Sequence, residues 1–185
     1  NLPEGHLSAP FGGVSTPILR SEKAVRRLFR DSRLKDLHLN GHVMAILPIL
    51  TVPHPLLKQV SRPVRDDEFG DELEERMRDM AETMYAAPGV GLAGVQIGDL
   101  RRIIVCDPSE TDEETGERSR SGLLLLVNPE IVETAQAPIT WEEGCLSVPE
   151  FWEDITRPRQ ALVRWRSPNG ESHEQWFEGF PAVII

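Results

Sequence analysis

Cysteine is scarce in this 185-residue sequence, and long apolar runs and an excess of basic residues are missing from it. Two cysteines, Cys106 and Cys145, are too few for a disulfide framework in a domain of this size, which indicates reduced thiols in a cytosolic protein. No apolar run approaches the ~18 residues of a membrane span. The formal net charge of −10 argues against a nucleic-acid-binding protein, whose binding face is basic. With 39% hydrophobic and 27% charged residues, the composition predicts one soluble globular domain.

The first 43 residues differ from the rest in charge. They contain seven basic and four acidic residues, a net of +3, whereas the whole chain carries −10. Met44 opens a segment that is typical of a natural start, so we predict that residues 1–43 are an N-terminal extension and that residues 44–185 form the folded domain. An Arg-rich leader is also typical of an organelle presequence, which is the less favoured alternative.

Hydrophobic periodicity predicts an α+β fold, with short, mostly antiparallel β-strands around one or two helices. Apolar residues spaced three or four apart predict one helix within residues 66–87, with Pro88-Gly89 ending it and methionines on its buried face. The runs "RRIIVCD" and "LLLLVNPEIV" predict two strands of a hairpin, and Cys106 is expected to be buried in the first. More short strands follow, with a turn at "SPNG", and the apolar C-terminal residues are expected to begin another helix.

The segment "PGVGLAGVQIG" contains Gly89, Gly91 and Gly94 in the G-x-G-x-x-G spacing of dinucleotide-binding loops. Such a loop needs a strand before the glycines and a helix after them, and here the predicted order is reversed. We therefore expect no nucleotide cofactor. The glycines instead permit close approach of another chain, and Gln96 supplies an amide that can stabilise a developing oxyanion.

A second segment, "EEGCLSVP", places Cys145 in a polar turn beside glycine, where an accessible thiolate is a candidate nucleophile or metal ligand. Together, "GVGLAGVQIG" and "EGCLSVP" resemble the peptide deformylase family, metal-dependent hydrolases that remove the formyl group from the N-terminal methionine of nascent proteins. The resemblance extends from Met44 to Ile185. It implies N-formylmethionyl peptides as substrates close to the ribosome in the bacterial cytoplasm, without direct contacts to nucleic acid or membrane.

The resemblance also implies roles for individual residues. Cys145 corresponds to a metal ligand, and the Gln96 side chain and the Leu146 backbone N–H correspond to the groups that hold the formyl oxygen. The implied metal is Fe²⁺, with Zn²⁺ as the alternative, since a thiolate suits both. Five further positions correspond to residues that contact the peptide backbone or the methionine side chain: Val90, Gly91, Gly144, Val183 and Ile184.

The sequence departs from the family pattern in three places. Gly94 replaces an alanine, which predicts a small loss of rigidity, and Trp152 replaces an arginine that contacts the far end of the substrate. The H-E-x-x-H motif, which supplies two histidine ligands and the general base, is absent. Because a catalytic metal needs about three protein ligands, we expect the two histidines to lie beyond the given chain, as in a fragment of a longer gene product; a degenerate or frameshifted copy is the less favoured alternative. The chain by itself is then expected to be weakly active or inactive.

Other histidines do not replace the motif. In "SHEQWF", position 177 is Phe177, so we interpret His173 and Glu174 as exposed strand residues, and we interpret His54 as a turn residue. Two alternative functions remain. One is a non-catalytic homologue that keeps the groove as a peptide-binding module. The other is a cysteine-nucleophile hydrolase that uses Cys145 with His173.

Overall fold

The computed structural model describes residues 38–39, 42–109 and 119–185. The extension predicted for residues 1–43 lies almost entirely outside these ranges, so the boundary at Met44 stays a prediction. The strands are β1 (His38–Leu39), β2 (His42–Val43), β3 (Gly91–Ala93), β4 (Ile103–Cys106), β5 (Leu124–Ala135), β6 (Ile139–Cys145), β7 (Val148–Arg157), β8 (Gln160–Arg166) and β9 (Ser172–Glu178). The helices are α1 (Asp71–Ala86) and α2 (Phe180–Ile184), and 3₁₀ turns span Pro55–Lys58, Asp66–Glu68 and Gly94–Ile97. The predicted α+β class is confirmed.

The main sheet is antiparallel and has the strand order β3-β4-β5-β8-β9. The hairpin β6–β7 forms a separate two-stranded sheet, and so does β1–β2. Within the described ranges, β3 is a border strand of the main sheet, so its edge that faces away from β4 is unpaired. In the hairpin, the edge of β6 that faces away from β7 is also unpaired. An unpaired edge presents backbone N–H and C=O groups that can bind an extended chain.

Helix α1 begins five residues later than the start of the predicted window. Residues Asp66–Glu68 form a 3₁₀ turn, and Gly70, with φ of 126°, adopts a conformation that is incompatible with a continuous helix. The end of the helix is as predicted, and its buried face contains four side chains of 0% exposure: Leu73, Met77, Met80 and Met84. The methionines are therefore core residues, as the helical spacing predicted.

Two apolar clusters flank the main sheet. The first combines α1 with Leu92, Val105 and Val127. The second contains Cys106 together with residues of β8 and β9, and α2 packs against it through Ile184. The predicted burial of Cys106, the predicted hairpin of β4 and β5, and the predicted C-terminal helix are all confirmed.

No helix in the described ranges is both long and apolar enough to cross a membrane.

Candidate active site

The glycine-rich segment leads from α1 into β3. The backbone N–H of Gly89 donates to Met84 O at 2.9 Å and closes the helix, and β3 then runs antiparallel to β4, with Gly91 opposite Cys106. A 3₁₀ turn, Gly94–Ile97, follows directly. The order of helix, loop and strand is the one predicted from the sequence, and it differs from that of a dinucleotide-binding loop.

The three glycines face different surroundings. A Cβ at Gly89 would lie 2.8 Å from the Leu146 side chain, and a Cβ at Gly94 would lie 2.8 Å from the carbonyl oxygen of Asp99. At Gly91, by contrast, the nearest atom would be the Cβ of Cys106 at 3.8 Å, an ordinary contact. The backbone of the turn after Gly94 approaches too closely for a side chain at this position, whereas the small loss of rigidity expected from this glycine stays a prediction.

The side chain of Gln96 has a fixed orientation. Its Oε1 accepts a hydrogen bond from Ala93 N at 2.9 Å, and its Nε2 donates to Ser147 Oγ at 3.0 Å. The same nitrogen lies 3.7 Å from Cys145 Sγ. The structure thus brings together Gln96 and Cys145, two residues that the sequence identified in separate motifs. An amide nitrogen carries two hydrogens, so Gln96 Nε2 donates one to Ser147 Oγ and directs the other at Cys145 Sγ.

Cys145 lies at a break in the register of the β6–β7 hairpin. Gly144 pairs with Trp152, but the next residue, Cys145, pairs with Val148, so β7 makes an excursion that includes Glu150 at a φ of 69°. The thiol is exposed. Such a bulge re-aims a side chain, which here directs Cys145 out of the regular ladder.

The indole ring of Trp152 lies against the backbone of Gly144. A Cβ at Gly144 would meet the ring at 2.9 Å, so only glycine permits this contact. Trp152 itself is 53% exposed. On the same hairpin Arg157 donates to Glu143 at 2.6 Å, which raises the pKa of the guanidinium and ties the two strands together.

The proposed peptide-contacting positions occupy two regions. A Cβ on Gly91 would point toward Cys106 and would lie 3.9 Å from the carbonyl oxygen of Ile184. Ile184 therefore packs against the face of β3 to which this Cβ would point. Val183 is buried and lines a cavity of about 120 Å³ together with Ile131 and Ala161. The structure therefore places Ile184 next to the glycine-rich strand. Val183 instead lines the cavity that it shares with Ile131 and Ala161.

Two buried polar residues near the site were missed by the sequence analysis. Asp107 is fully buried, its backbone N–H donates to Val90 O at 2.9 Å, and its carboxylate accepts from the Tyr85 hydroxyl at 2.6 Å. Burial and this hydrogen bond raise the pKa of Tyr85. Ser147, the partner of Gln96, is 4% exposed. Its position two residues after Cys145 in "EGCLS" was the available signal, whereas Asp107 carried none.

The described residues do not by themselves form a metal site. None of their histidine, cysteine, aspartate and glutamate side chains gather in groups of three or more that could hold a metal ion. The amide of Gln96 donates to Cys145 Sγ and to the Ser147 hydroxyl, and neither of these groups replaces the imidazole or carboxylate ligands that a catalytic metal needs.

The histidines outside the site have structural contacts. His173 lies on β9 as predicted, but it is half-buried and stacks on Trp165 with ring centroids 5.2 Å apart, so the expectation of an exposed side chain is wrong. Its neighbour Glu174 is exposed, as predicted, and pairs with Arg164. His54 caps the 3₁₀ turn Pro55–Lys58 by accepting a hydrogen bond from Leu56 N, which agrees with a turn residue.

Comparison with known proteins adds independent information. The model of the polypeptide deformylase family matches residues 46–185. The chain is 48% identical to a peptide deformylase from Phenylobacterium zucineum, over 77% of this chain and 79% of the relative, and 44% identical to one from Hyphomonas neptunium, over 77% of each. Its structure is similar to that of a Met-Ala-Ser-bound class I type b peptide deformylase from Acinetobacter baumannii, with a TM-score of 0.70, 31% identity, and 77% and 89% of the two chains covered. The chain belongs to the polypeptide deformylase family.

Proposed function

We propose that this protein hydrolyses the N-formyl group of N-formylmethionyl peptides. In this reaction the C–N bond of the formamide breaks, water supplies the oxygen of the released formate, and the peptide keeps a free N-terminal amine. The observation that carries the proposal is the 3.7 Å approach of the Gln96 amide to Cys145 beside two unpaired strand edges. This arrangement supports a site that binds an extended peptide and polarises a carbonyl at its end.

The peptide would bind as an added strand between the free edges of β3 and β6. Backbone groups of Val90, Gly91 and Gly144 would pair with it, and Val183 and Ile184 would lie near the methionine side chain. The Acinetobacter baumannii relative was solved with Met-Ala-Ser bound, which supports a peptide of this kind as the ligand. The hydrogen bond from Asp107 N to Val90 O would hold the β3 side of this groove in place.

The formyl oxygen would be held by two donors. One is the Gln96 N–H that points at Cys145 Sγ, a long 3.7 Å contact that a formyl oxygen beside the thiol would replace, and the other is the backbone N–H of Leu146, which follows the thiol directly in the chain. Preorganised donors of this kind stabilise the negative charge that develops on the oxygen in the transition state. Ser147 and Ala93 act as positioning groups, because they fix both ends of the Gln96 amide.

Metal dependence is part of the proposal. Cys145 would supply one thiolate ligand to Fe²⁺ or, alternatively, Zn²⁺, and the two remaining ligands would be histidines beyond the described residues. Among the described residues Cys145 is the one ligand that we assign, and with this single thiolate the chain would hold metal weakly and turn over little. Because the substrates are nascent peptides and the curated relatives are bacterial, we place the activity in the cytoplasm, near the ribosome.

The test compares the given chain with a version that carries a helix containing H-E-x-x-H after Ile185. Both are loaded with Fe²⁺ under anaerobic conditions, and formate release from formyl-Met-Ala-Ser is measured. We expect release from the extended chain and little from the given one. A matched control carries the same helix with both histidines changed to alanine and is expected to be inactive.

Other outcomes assign the alternatives. An extended chain that binds formyl-Met-Ala-Ser but releases no formate would indicate a peptide-binding module and contradict the enzyme. Hydrolysis that persists in a strong chelator would indicate a thiol nucleophile at Cys145. Failure of the extended chain to bind the peptide would contradict the groove itself.

A further inference from the structure

Asp107 binds both ends of the turn that leads from α1 into β3. Its backbone N–H donates to Val90 O at 2.9 Å, and its carboxylate accepts a hydrogen bond from the Tyr85 hydroxyl at 2.6 Å. Tyr85 lies in the last turn of α1, and Val90 immediately precedes β3. The turn between them contains Pro88 and Gly89. A single residue therefore fixes where β3 begins relative to the end of the helix.

The hydrogen bond between Tyr85 and Asp107 is of the strong kind. Asp107 is 0% exposed, and a buried carboxylate depends on the donors that surround it. A hydrogen bond to a charged acceptor is also stronger than one between neutral groups. Burial, followed by the bond to Asp107, raises the pKa of Tyr85, so the hydroxyl keeps its proton and donates at neutral pH.

The connection between β4 and β5 holds the other oxygen of the same carboxylate. Ser109 N donates to Asp107 Oδ1 at 2.8 Å, and Gly122 N donates to Ser109 Oγ at 2.8 Å. A Cβ at Gly122 would lie 2.9 Å from Asp107 Oδ1, so a residue without a side chain permits this close approach. The connection thus meets the carboxylate at Oδ1, whereas Tyr85 binds it at Oδ2.

Arg120 keeps the ring of Tyr85 in place. Its guanidinium carbon lies 4.2 Å from the centre of the ring, and its Nη1 pairs with Glu82 at 3.2 Å. Glu82 and Tyr85 are three residues apart on α1, so they lie on neighbouring positions of one helix face. The cation over the ring restricts its rotation, which keeps the hydroxyl directed at Asp107.

We propose that Tyr85 is a positioning residue of the peptide groove, and that its hydroxyl acts through Asp107 on the start of β3. The assignment rests on the proposed function, in which backbone groups of Val90 and Gly91 bind the peptide as an added strand. Tyr85 then sets the position of these groups without acting on the formyl group itself. Loss of the hydroxyl should weaken the binding of substrate and transition state alike, which raises KM and leaves kcat nearly unchanged.

The first test measures amide hydrogen exchange by NMR in the given chain, without substrate or metal. Tyr85→Phe removes the hydroxyl and keeps the ring. In this variant the amides of Gly89 and Asp107 should exchange at least about ten times faster, whereas that of Met80 in the core of α1 should keep its wild-type rate. Ser119→Ala, which removes an exposed hydroxyl from the same connection, is the control and should change none of these rates.

Two results of this test would overturn the proposal. One is a wild-type exchange rate at Gly89 and Asp107 in Tyr85→Phe. The other is an equal acceleration at Gly89, Asp107 and Met80, because it would indicate a general loss of stability rather than a local loosening of the turn.

The second test measures steady-state kinetics in the Fe²⁺-loaded chain extended with H-E-x-x-H. For formyl-Met-Ala-Ser, Tyr85→Phe should raise KM about tenfold and keep kcat within about twofold of wild type. Gly122→Ala pushes on the same carboxylate from its Oδ1 side and should give the same division between KM and kcat. Ser119→Ala should leave both constants unchanged. A fall in kcat at constant KM in Tyr85→Phe would contradict the positioning role.

The positioning role and the proposed function fail separately. A wild-type extended chain that releases no formate contradicts the proposed function, and the exchange rates at Gly89 and Asp107 then decide on Tyr85. If the wild-type chain is active and Tyr85→Phe has the same KM, the positioning role is overturned and the proposed function stands.

Discussion

The amide nitrogen of Gln96 lies 3.7 Å from the sulfur of Cys145, although the two residues are 49 positions apart in the chain. A third segment connects the glycine-rich turn that carries Gln96 with the β6–β7 hairpin that carries Cys145. Leu50 N donates to Gln96 O at 2.7 Å, and Val52 N donates to Ser147 O at 2.9 Å. The extended segment after Met44 therefore bridges the glycine-rich turn and the β6–β7 hairpin, which fixes the distance between the two groups.

Removing the Gln96 amide should reduce catalysis more than substrate binding. In the extended, metal-loaded protein, Gln96→Ala is expected to lower kcat by roughly 10²–10³, the usual cost of one oxyanion donor. Ser147→Ala should lower kcat by about tenfold, because it frees the amide to rotate away. Steady-state kinetics with formyl-Met-Ala-Ser check both. Thr140→Ala, an exposed change on β6, is the control, and an unchanged kcat in Gln96→Ala would contradict the assigned role.

Local sequence patterns correctly predicted the features that depend on residues close together in the chain. The methionine spacing of α1, the strands around Cys106 and the turn at "SPNG" follow from periodicity and turn chemistry, and two short motifs identified Gln96 and Cys145. The start of α1 was missed, because the φ of Gly70 is set by the loop around Pro168, which accepts its N–H. The crowding at Gly94 and the burial of Asp107 were also missed. Both depend on backbone that is brought close by the tertiary fold.

Alanine at Gly94 and at Gly91 should have opposite consequences. Gly94→Ala forces a Cβ to within 2.8 Å of backbone, so we expect a loss of roughly 1–3 kcal/mol in the free energy of unfolding. Gly91→Ala meets only ordinary contacts and should keep the stability within about 0.5 kcal/mol. Gly91→Ala should nevertheless weaken binding of formyl-Met-Ala-Ser, since the added methyl group narrows the space between β3 and Ile184. Urea unfolding and peptide titration separate the two effects, and a stable Gly94→Ala protein would contradict the packing argument.

Acid should weaken the contact between the Asp66–Glu68 turn and Arg62. Two hydrogen bonds from Arg62 and one from Arg65 N lower the pKa of Glu68 to about 2. A carboxyl with a depressed pKa contributes stability above its unfolded value of about 4.3, and this contribution is lost as the pH falls through the folded value.

Wild-type stability should therefore decline between about pH 4 and pH 2, and Glu68→Gln should flatten that part of the curve. Urea midpoints measured across this range test the expectation. Glu171→Gln, an exposed change near β9, is the control. If wild type and Glu68→Gln lose stability with the same slope, Glu68 is not the responsible group.

The two thiols should differ sharply in reactivity. Cys145 is exposed, whereas Cys106 is 0% exposed, and burial, followed by the nearby charge of Asp107, raises its pKa to about 12. Because the thiolate is the reactive form, a disulfide reagent at pH 8 should label one cysteine within seconds and the second only after urea unfolding. Cys145→Ala should abolish the fast phase and leave the slow one.

The same measurement reports on metal binding. Zn²⁺ should slow labelling of Cys145 in the chain extended with H-E-x-x-H and leave it nearly unchanged in the given chain, because a single thiolate binds zinc weakly. The extended chain with both histidines changed to alanine is the control. Zn²⁺ that protects Cys145 equally in the given and the extended chains would show that residues already in the given chain complete the metal site. This result would contradict the assignment of the two other ligands to the histidines of the added helix.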